Sequence, residues 1–301
     1  MFIDTANASP PINDLLVVVE GCRLVSCRAL PARAAQAGFS LIEIAIGLVI
    51  LGLATVGLVA TLSEQAEQRR IVDTRRALDD ARDALLAFAG TNGRLPCPAT
   101  AATNGQESIA SNVGGIVTCS VQDGFLPAVT LGLPGVEPTG LLTDGWRDGA
   151  GQANGTHLRA FRYGLTSLAV PVANALSSPA LGAPGSPTQR IAVQTAINAN
   201  QGLFVCRSAA GMTGAGNRCG SAANTLASNA VAIVRSAGRN GAQTAAYSAD
   251  EQQNYTQAIT RGYVHRDFAP AGATGGSYDD LMTWIPYPQL ANRLVASGQV
   301  L

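Results

Sequence analysis

From Phe39 to Leu62 the chain runs through 24 residues of which only Ser40, Glu43, Thr55 and Thr61 are polar. As a helix rising about 1.5 Å per residue, such a run spans a hydrocarbon core about 30 Å thick. It is too long for the apolar stretch of a cleaved secretory signal, and no small-x-small cleavage site follows it. The run therefore reads as a membrane-length anchor, and Glu43 is its anomaly. A carboxylate at hydrocarbon depth costs about 2.5–3.5 kcal/mol unless it meets a cation or snorkels to the headgroups.

Charge and composition exclude several functions. The 20 basic residues are all arginine, and 20 acids balance them, so no basic surplus points to nucleic acid. Without a lysine the chain has neither the phosphate-binding amine of a P-loop nor the amine of a Schiff-base enzyme. No GxSxG elbow occurs, and the glycines of GMTGAGNRCG do not complete GxGxxG. The two histidines, His157 and His265, have aspartates nearby but no further catalytic partners in sequence. An enzyme is not expected.

Arg23, Arg28 and Arg33 precede the run and Arg69, Arg70, Arg75 and Arg76 follow it, so counting arginines does not orient it. The residues that do are Gly38-Phe39-Ser40-Leu41-Ile42-Glu43. This hexad before an apolar helix resembles the processing site of type IV pilins and of the related pseudopilins of type II secretion. The resemblance implies cleavage between Gly38 and Phe39 by a prepilin peptidase on the cytoplasmic side, and N-methylation of the new terminus. Glu43 becomes the fifth mature residue, and the Phe39 amine supplies the cation it needs, within one subunit or between two. The other partners implied are further pilin or pseudopilin subunits, membrane lipid, and an inner-membrane assembly platform with a separate ATPase. The implied location is the bacterial inner membrane, crossed once, with the body in the periplasm or in a surface fibre. The leader of 38 residues is longer than is usual in that family; its Cys22 and Cys27 receive no role.

After Leu62 the helix pattern continues without proline. Ile71, Thr74, Leu78, Ala81, Leu85 and Phe88 keep a 3–4 spacing that places them on one face. Arg75–Asp79 and Arg76–Asp80 are expected as i,i+4 pairs on the outside, and Gly90 and Gly93 as the terminators. One helix of about 75 Å follows, from about residue 40 to about 89. A coiled coil is the competing use of the stripe, but Thr74 and Ala81 make a weak seam. The expected organisation is a leader at 1–38, a helix at 39–90 with a transmembrane half at 39–62, and a globular body at 91–301. The fold class is α+β, a long N-terminal helix packed on an antiparallel sheet.

Cys97, Cys119, Cys206 and Cys219 remain in the body after processing. An even number in an exported body suggests disulfides. Of three connectivities, Cys97–Cys119 with Cys206–Cys219 is preferred, because each pair brackets a loop rich in small residues. A cysteine metal centre is disfavoured by the lack of a CxxC pair. Gly93–Pro98, FLPAVTLGLP at 125–134, TDGWRDGAG through RAFRYGL at 143–165, and VAIVRSAGRNG with YDDLMTWIP resemble bacterial pilin-like proteins. The last three read as strands or strand-flanking turns. In the major pseudopilin a loop beside the motif corresponding to Tyr278-Asp279-Asp280-Leu281 binds calcium, so Asp279 and Asp280 are candidate ligands; a solvated Asp-Asp strand entry is the competing reading. The expected function is a structural pseudopilin or minor pilin. The alternative is a tip or adhesive pilin whose enlarged loops recognise a substrate or a surface.

Overall fold

The computed structural model describes residues 40–113, 116–146, 159–166, 202–214, 218–241, 247–256, 261–270 and 272–298, with backbone alone at 54–63. It divides between Val56 and Gly57 into two compact units. One helix, α1 (Leu41–Asn92), runs through both.

In the first unit each large aliphatic side chain described, from Leu41 to Leu53, is exposed. The apolar surface goes round the helix instead of forming a stripe, so no single face can be its core face. Among the described residues no helix is long and apolar enough to cross a membrane. The expected span at 39–62 extends beyond the described side chains, which omit Phe39 and 54–63.

In the second unit the pattern becomes one-sided. Thr74, Leu78, Ala81, Leu85 and Ala89 are buried. Leu78, Ala81, Leu85 and Ala89 join Tyr163, Leu165, Val234 and Ile285 of the sheet in the main core. The stripe packs on the chain's own sheet and so is not a coiled-coil seam. Phe88, expected in it, is half-buried at its edge, where the Arg94 guanidinium lies 5.3 Å from the ring centroid. The helix ends three residues later than the spacing predicts. Gly93, at φ +69°, donates its N–H to the Ala89 carbonyl at 2.8 Å, a left-handed cap of the kind glycine adopts without strain. Gly90 is buried within the helix.

The body holds a hairpin, β1 (Ile109–Val113) with β2 (Ile116–Cys119), and a sheet of six strands. These are β3 (Asp123–Phe125), β4 (Arg162–Leu165), β5 (Leu203–Cys206), β6 (Thr225–Ser236), β7 (Gly262–Val264) and β8 (Leu281–Pro286). Their order is β3-β4-β6-β5-β7, with β8 also on β6. The VAIVR run reads as continuously apolar because β6 is buried on both faces: Val231 and Val234 belong to the core under α1, Ile233 to a second cluster with Leu203, Val205 and Tyr263.

Two expectations are corrected. The sheet is not wholly antiparallel: β5 and β7 pair parallel, Phe204 opposite Gly262 and Cys206 opposite Val264. A parallel neighbour requires a crossover, and the chain makes one through a helix before entering β7. Within FLPAVTLGLP, expected as a strand or a strand-flanking turn, Phe125 ends β3 and Ala128–Leu131 form a short helix, α2. The crossover helix is α3 (Ala249–Thr256), and α4 (Tyr287–Ala296) closes the chain, burying Leu290 and Leu294 in the main core.

The disulfides are Cys97–Cys119 and Cys206–Cys219. The first ties the segment after α1 to β2 in the main core; the second lies in a small core with Phe204, Val264 and Tyr278. By loop entropy each adds about 3 kcal/mol. Arg94 holds Glu107 with two 2.7 Å bonds, and Glu107 also accepts the Cys97 N–H at 3.0 Å. Burial alone would raise that carboxyl, but Arg94 and the Cys97 amide hold it below its usual range.

The TDGW segment joins α1 to the sheet. Asp144 accepts from Ser236 Oγ at 2.7 Å and from the Trp146 N–H at 3.0 Å, while Trp146 Nε1 donates to Glu67 at 3.1 Å. Gly145 donates its N–H to Thr74 Oγ1 at 2.9 Å. A Cβ at Gly145 would fall 2.5 Å from the Arg70 carbonyl, so only glycine allows this approach. Thr74, the polar interruption of the stripe, is therefore the docking point of the loop.

Candidate functional site

The processing motif meets the described residues only at its end. Gly38 and Phe39 lie outside them. The Ser40 carbonyl accepts from the Glu43 and Ile44 amides at 3.0 and 3.1 Å, closing the first turn of α1. Glu43 is exposed in that turn, where a negative charge is favoured by the helix dipole. Around it the exposed side chains of Leu41, Ile42 and Ile44 leave the carboxylate with no polar neighbour of their making.

In the body the chemistry gathers where α3 begins and β8 is about to start. Glu251, Asp279 and Asp280 each bring a carboxylate oxygen within 4.8 Å of the others. Glu251 closes a capping box: its Oε2 accepts from the Ser248 N–H at 2.9 Å, and Ser248 Oγ accepts from the Glu251 N–H at 3.3 Å. Its other oxygen accepts from the Asp279 N–H at 3.0 Å and from Asn240 Nδ2 at 3.1 Å. Asp279 Oδ2 accepts from the Asn240 N–H at 3.1 Å, and Asp280 Oδ2 from Asn254 Nδ2 at 2.7 Å.

Among the described residues, two buried oxygens here have no hydrogen-bond partner: Asp279 Oδ1 and Asn240 Oδ1. Burial pushes Asp279 up to about 7, with Glu251 adding to the rise, and Asp280 up to about 8, with Glu251 and Asp279 adding to it. Arg235 and the Asn254 amide oppose the rise at Asp280 without cancelling it. Hard oxygens, shared negative charge and unpaired acceptors fit a calcium ion, which takes six to eight oxygens from carboxylates, amide carbonyls and water. Asp279, Asp280 and Glu251 would hold it, with Asn240 Oδ1 as a neutral fourth donor.

Sequence reading reaches Asp279 and Asp280 but misses Glu251 and Asn240. The signals were present as the S-x-x-E capping box at 248–251 and the Asn-Gly turn at 240–241. The neighbouring cavity, about 120 Å³, is lined by Asp279 and Asp280 together with Trp146, His265 and Phe268. His265 does not join the carboxylate set; burial lowers its pKa, and its ring stands edge-on to Trp284 at 5.7 Å. His157 lies outside the described residues.

The prokaryotic N-terminal methylation motif matches residues 33–59. That match covers the processing hexad and the start of α1, and it supports the placement of the chain with the type IV pilins and pseudopilins as a pilin-like protein. The motif implies processing by a prepilin peptidase, assembly with other pilin subunits, and a membrane-anchored or surface pilus protein; it points to a structural protein and not to an enzyme. No curated protein and no solved structure is significantly similar to the chain.

Proposed function

We propose that the chain is a structural pseudopilin or minor pilin, cut between Gly38 and Phe39, N-methylated, and assembled through α1 into a type II secretion pseudopilus or a type IV pilus. The observation that carries this reading is the continuity of the methylation motif with α1, whose apolar start is exposed all round while its later stripe is buried in an oxidised body. An isolated helix with that surface needs lipid or other apolar helices around it. We assign residues 39–62 to the inner membrane and the body to the periplasm, where disulfides persist. Calcium bound by Asp279, Asp280 and Glu251 stabilises the loop before β8.

Mass spectrometry of the mature protein is expected to find N-methylated Phe39 as the terminus. Gly38→Leu is expected to leave only the full-length form in the membrane. The same mature terminus in that variant would reject the reading.

Glu43 has a separate role: its carboxylate pairs with the Phe39 amine of an adjoining subunit. Glu43→Ala then removes the attraction and the register it sets, while making residence in lipid easier. The variant is expected to be cut normally, to accumulate in the inner membrane, and to give a sheared-fibre yield far below the parent chain. An undiminished yield would reduce Glu43 to a recognition element for the peptidase.

A further inference from the structure

The cavity beside the carboxylate set has charged walls that the fold uses only in part. It measures about 120 Å³ and is lined by Glu67 and Arg75 of α1, Trp146 of the TDGW segment, and His265, Asp267 and Phe268 after β7. Most of the charge there is engaged. Glu67 accepts from Trp146 Nε1 at 3.1 Å. Asp279 and Asp280, also in the lining, accept from Asn240 and Asn254. Arg266 pairs with Asp250 at 3.0 Å and donates to the Gly276 carbonyl at 2.9 Å.

Arg75 and Asp267 are what remains. Both are exposed, and none of the four ion pairs among the described residues includes either. The expected Arg75–Asp79 and Arg76–Asp80 pairs do not form, since exposed pairs along a helix gain only a few tenths of a kcal/mol. Burial lowers the His265 pKa, with Asp267 working against that and Arg75 with it, so a charge of each sign bears on this ring. His265 Nδ1 is buried with no hydrogen-bond partner among the described residues, an unmet donor or acceptor in the lining. Phe268, in the same lining, leaves an aromatic ring 60 % exposed.

A cation and an anion that do not pair, an unmet ring nitrogen and an open aromatic face fit a small zwitterion. The guanidinium takes phosphate oxygens, the carboxylate takes an ammonium, and the aromatic quadrupole attracts that ammonium. A simple anion would be opposed by Asp267, and a simple cation by Arg75. The place of the cavity along α1 decides which zwitterion is at hand. Glu67 is five residues past Leu62, the end of the apolar run, or about 7.5 Å along the helix. Headgroups occupy about 5–7 Å beyond the hydrocarbon on each side of a bilayer. The long side chain of Arg75 leaves the helix toward its amino end, which is the membrane side.

We infer that this cavity holds the zwitterionic headgroup of a phospholipid, an aminoalkyl phosphate such as phosphoethanolamine, from the leaflet out of which α1 emerges. Arg75 binds the phosphate, Asp267 and the Phe268 ring bind the ammonium, and His265 Nδ1 gains the partner it lacks. The inference rests on the proposed placement of residues 39–62 in the inner membrane. It gives the body a hold on the bilayer besides α1, one that is released when the subunit leaves the membrane for a fibre.

The test uses the full chain, inserted into nanodiscs of phosphatidylethanolamine and phosphatidylglycerol in equal amounts and then moved to mild detergent, with the retained lipids counted by native mass spectrometry. A single phosphatidylethanolamine is expected to stay bound, preferred about tenfold over phosphatidylglycerol, which has no ammonium. Asp267→Asn is expected to bring that preference to about one without changing the retention of phosphatidylglycerol. Arg75→Gln is expected to lower retention of both lipids about tenfold, and Arg75→Lys, which keeps the charge, to restore most of it. Equal retention of the two lipids by the parent chain overturns the inference, as does a preference that survives Asp267→Asn. Soluble glycerophosphoethanolamine bound in detergent as tightly as the lipid would place the ligand in solution and overturn the lipid assignment. A chain that inserts without a headgroup preference sinks the cavity's role alone, whereas a chain that does not insert sinks the placement of residues 39–62 and this inference with it.

Discussion

Asp123→Ala is expected to destabilise the body by about 3–5 kcal/mol, the usual cost of leaving one member of a buried ion pair without its counter-charge. Asp123 stands at the end of the sheet and serves three groups: Arg162 Nη2 at 2.8 Å, Tyr263 Oη at 3.1 Å and Arg235 Nη2 at 3.4 Å. Arg162 can turn to water, its side chain being 36 % exposed, but Arg235 cannot at 7 %. Burial would raise the Asp123 carboxyl, yet Arg235 and Arg162 outweigh it and hold it below its usual range. A depressed carboxyl stabilises the fold at pH values above its unfolded value, and that contribution is lost as the pH falls through the folded value. The loss is read by urea unfolding at pH 7, followed through the two tryptophans, Trp146 and Trp284. Asp123→Ala with Arg235→Met should recover most of it, because an apolar pair of similar volume leaves no charge stranded. A single variant as stable as the parent would show that Arg235 finds enough compensation elsewhere.

The sequence exposes contacts that repeat locally and hides those that join distant segments. The 3–4 spacing from Thr74 to Leu85 and the apolar density of VAIVR are periodic, and both elements lie where they were expected. The disulfides are legible because Cys97 and Cys119 are only 22 residues apart and Cys206 and Cys219 only 13, each around a small-residue loop. Nothing local announces that Arg235 will meet Asp123 across 112 residues or Tyr263 meet it across 140. Thr74 read as a flaw in the apolar stripe because its partner, Gly145, is 71 residues away. The parallel β5–β7 pair was hidden for the same reason: strand periodicity gives a face but not a neighbour. In the carboxylate site, the adjacent aspartates stand out, while Glu251, ending an S-x-x-E capping box, and Asn240, in an Asn-Gly turn, carry only local signals. Each does that local work and also faces the cluster.

Calcium is expected to offset part of the body's loss of stability at alkaline pH. Asp279 and Asp280, at about 7 and about 8, are raised by burial and by the negative charge they share with Glu251. A carboxyl raised by folding contributes fully below its unfolded value near 4, and the contribution is lost as the pH rises through the folded value. In chelator these two groups therefore cost the body stability from about pH 4 up to about pH 8. A tenfold change in proton affinity is worth about 1.4 kcal/mol, so the two groups together account for a loss on the order of several kcal/mol. Calcium needs the ionised carboxylates, so it acts most strongly where the protons have left. At pH 8 and a hundredfold excess over its dissociation constant it adds about 2.7 kcal/mol, a rise in melting temperature of about 5–10 °C for a body of this size. At pH 5 protons occupy the same oxygens and the rise should vanish. Asp279→Asn and Asp280→Asn should each abolish the calcium response and flatten the decline in chelator, because each removes a ligand and a buried charge together. Magnesium, which demands a tighter octahedron and gives up its water reluctantly, should not substitute. A decline in chelator that calcium at pH 8 leaves untouched would keep the three carboxylates as a hydrogen-bonded cap between α3 and β8 and remove the ion from the account.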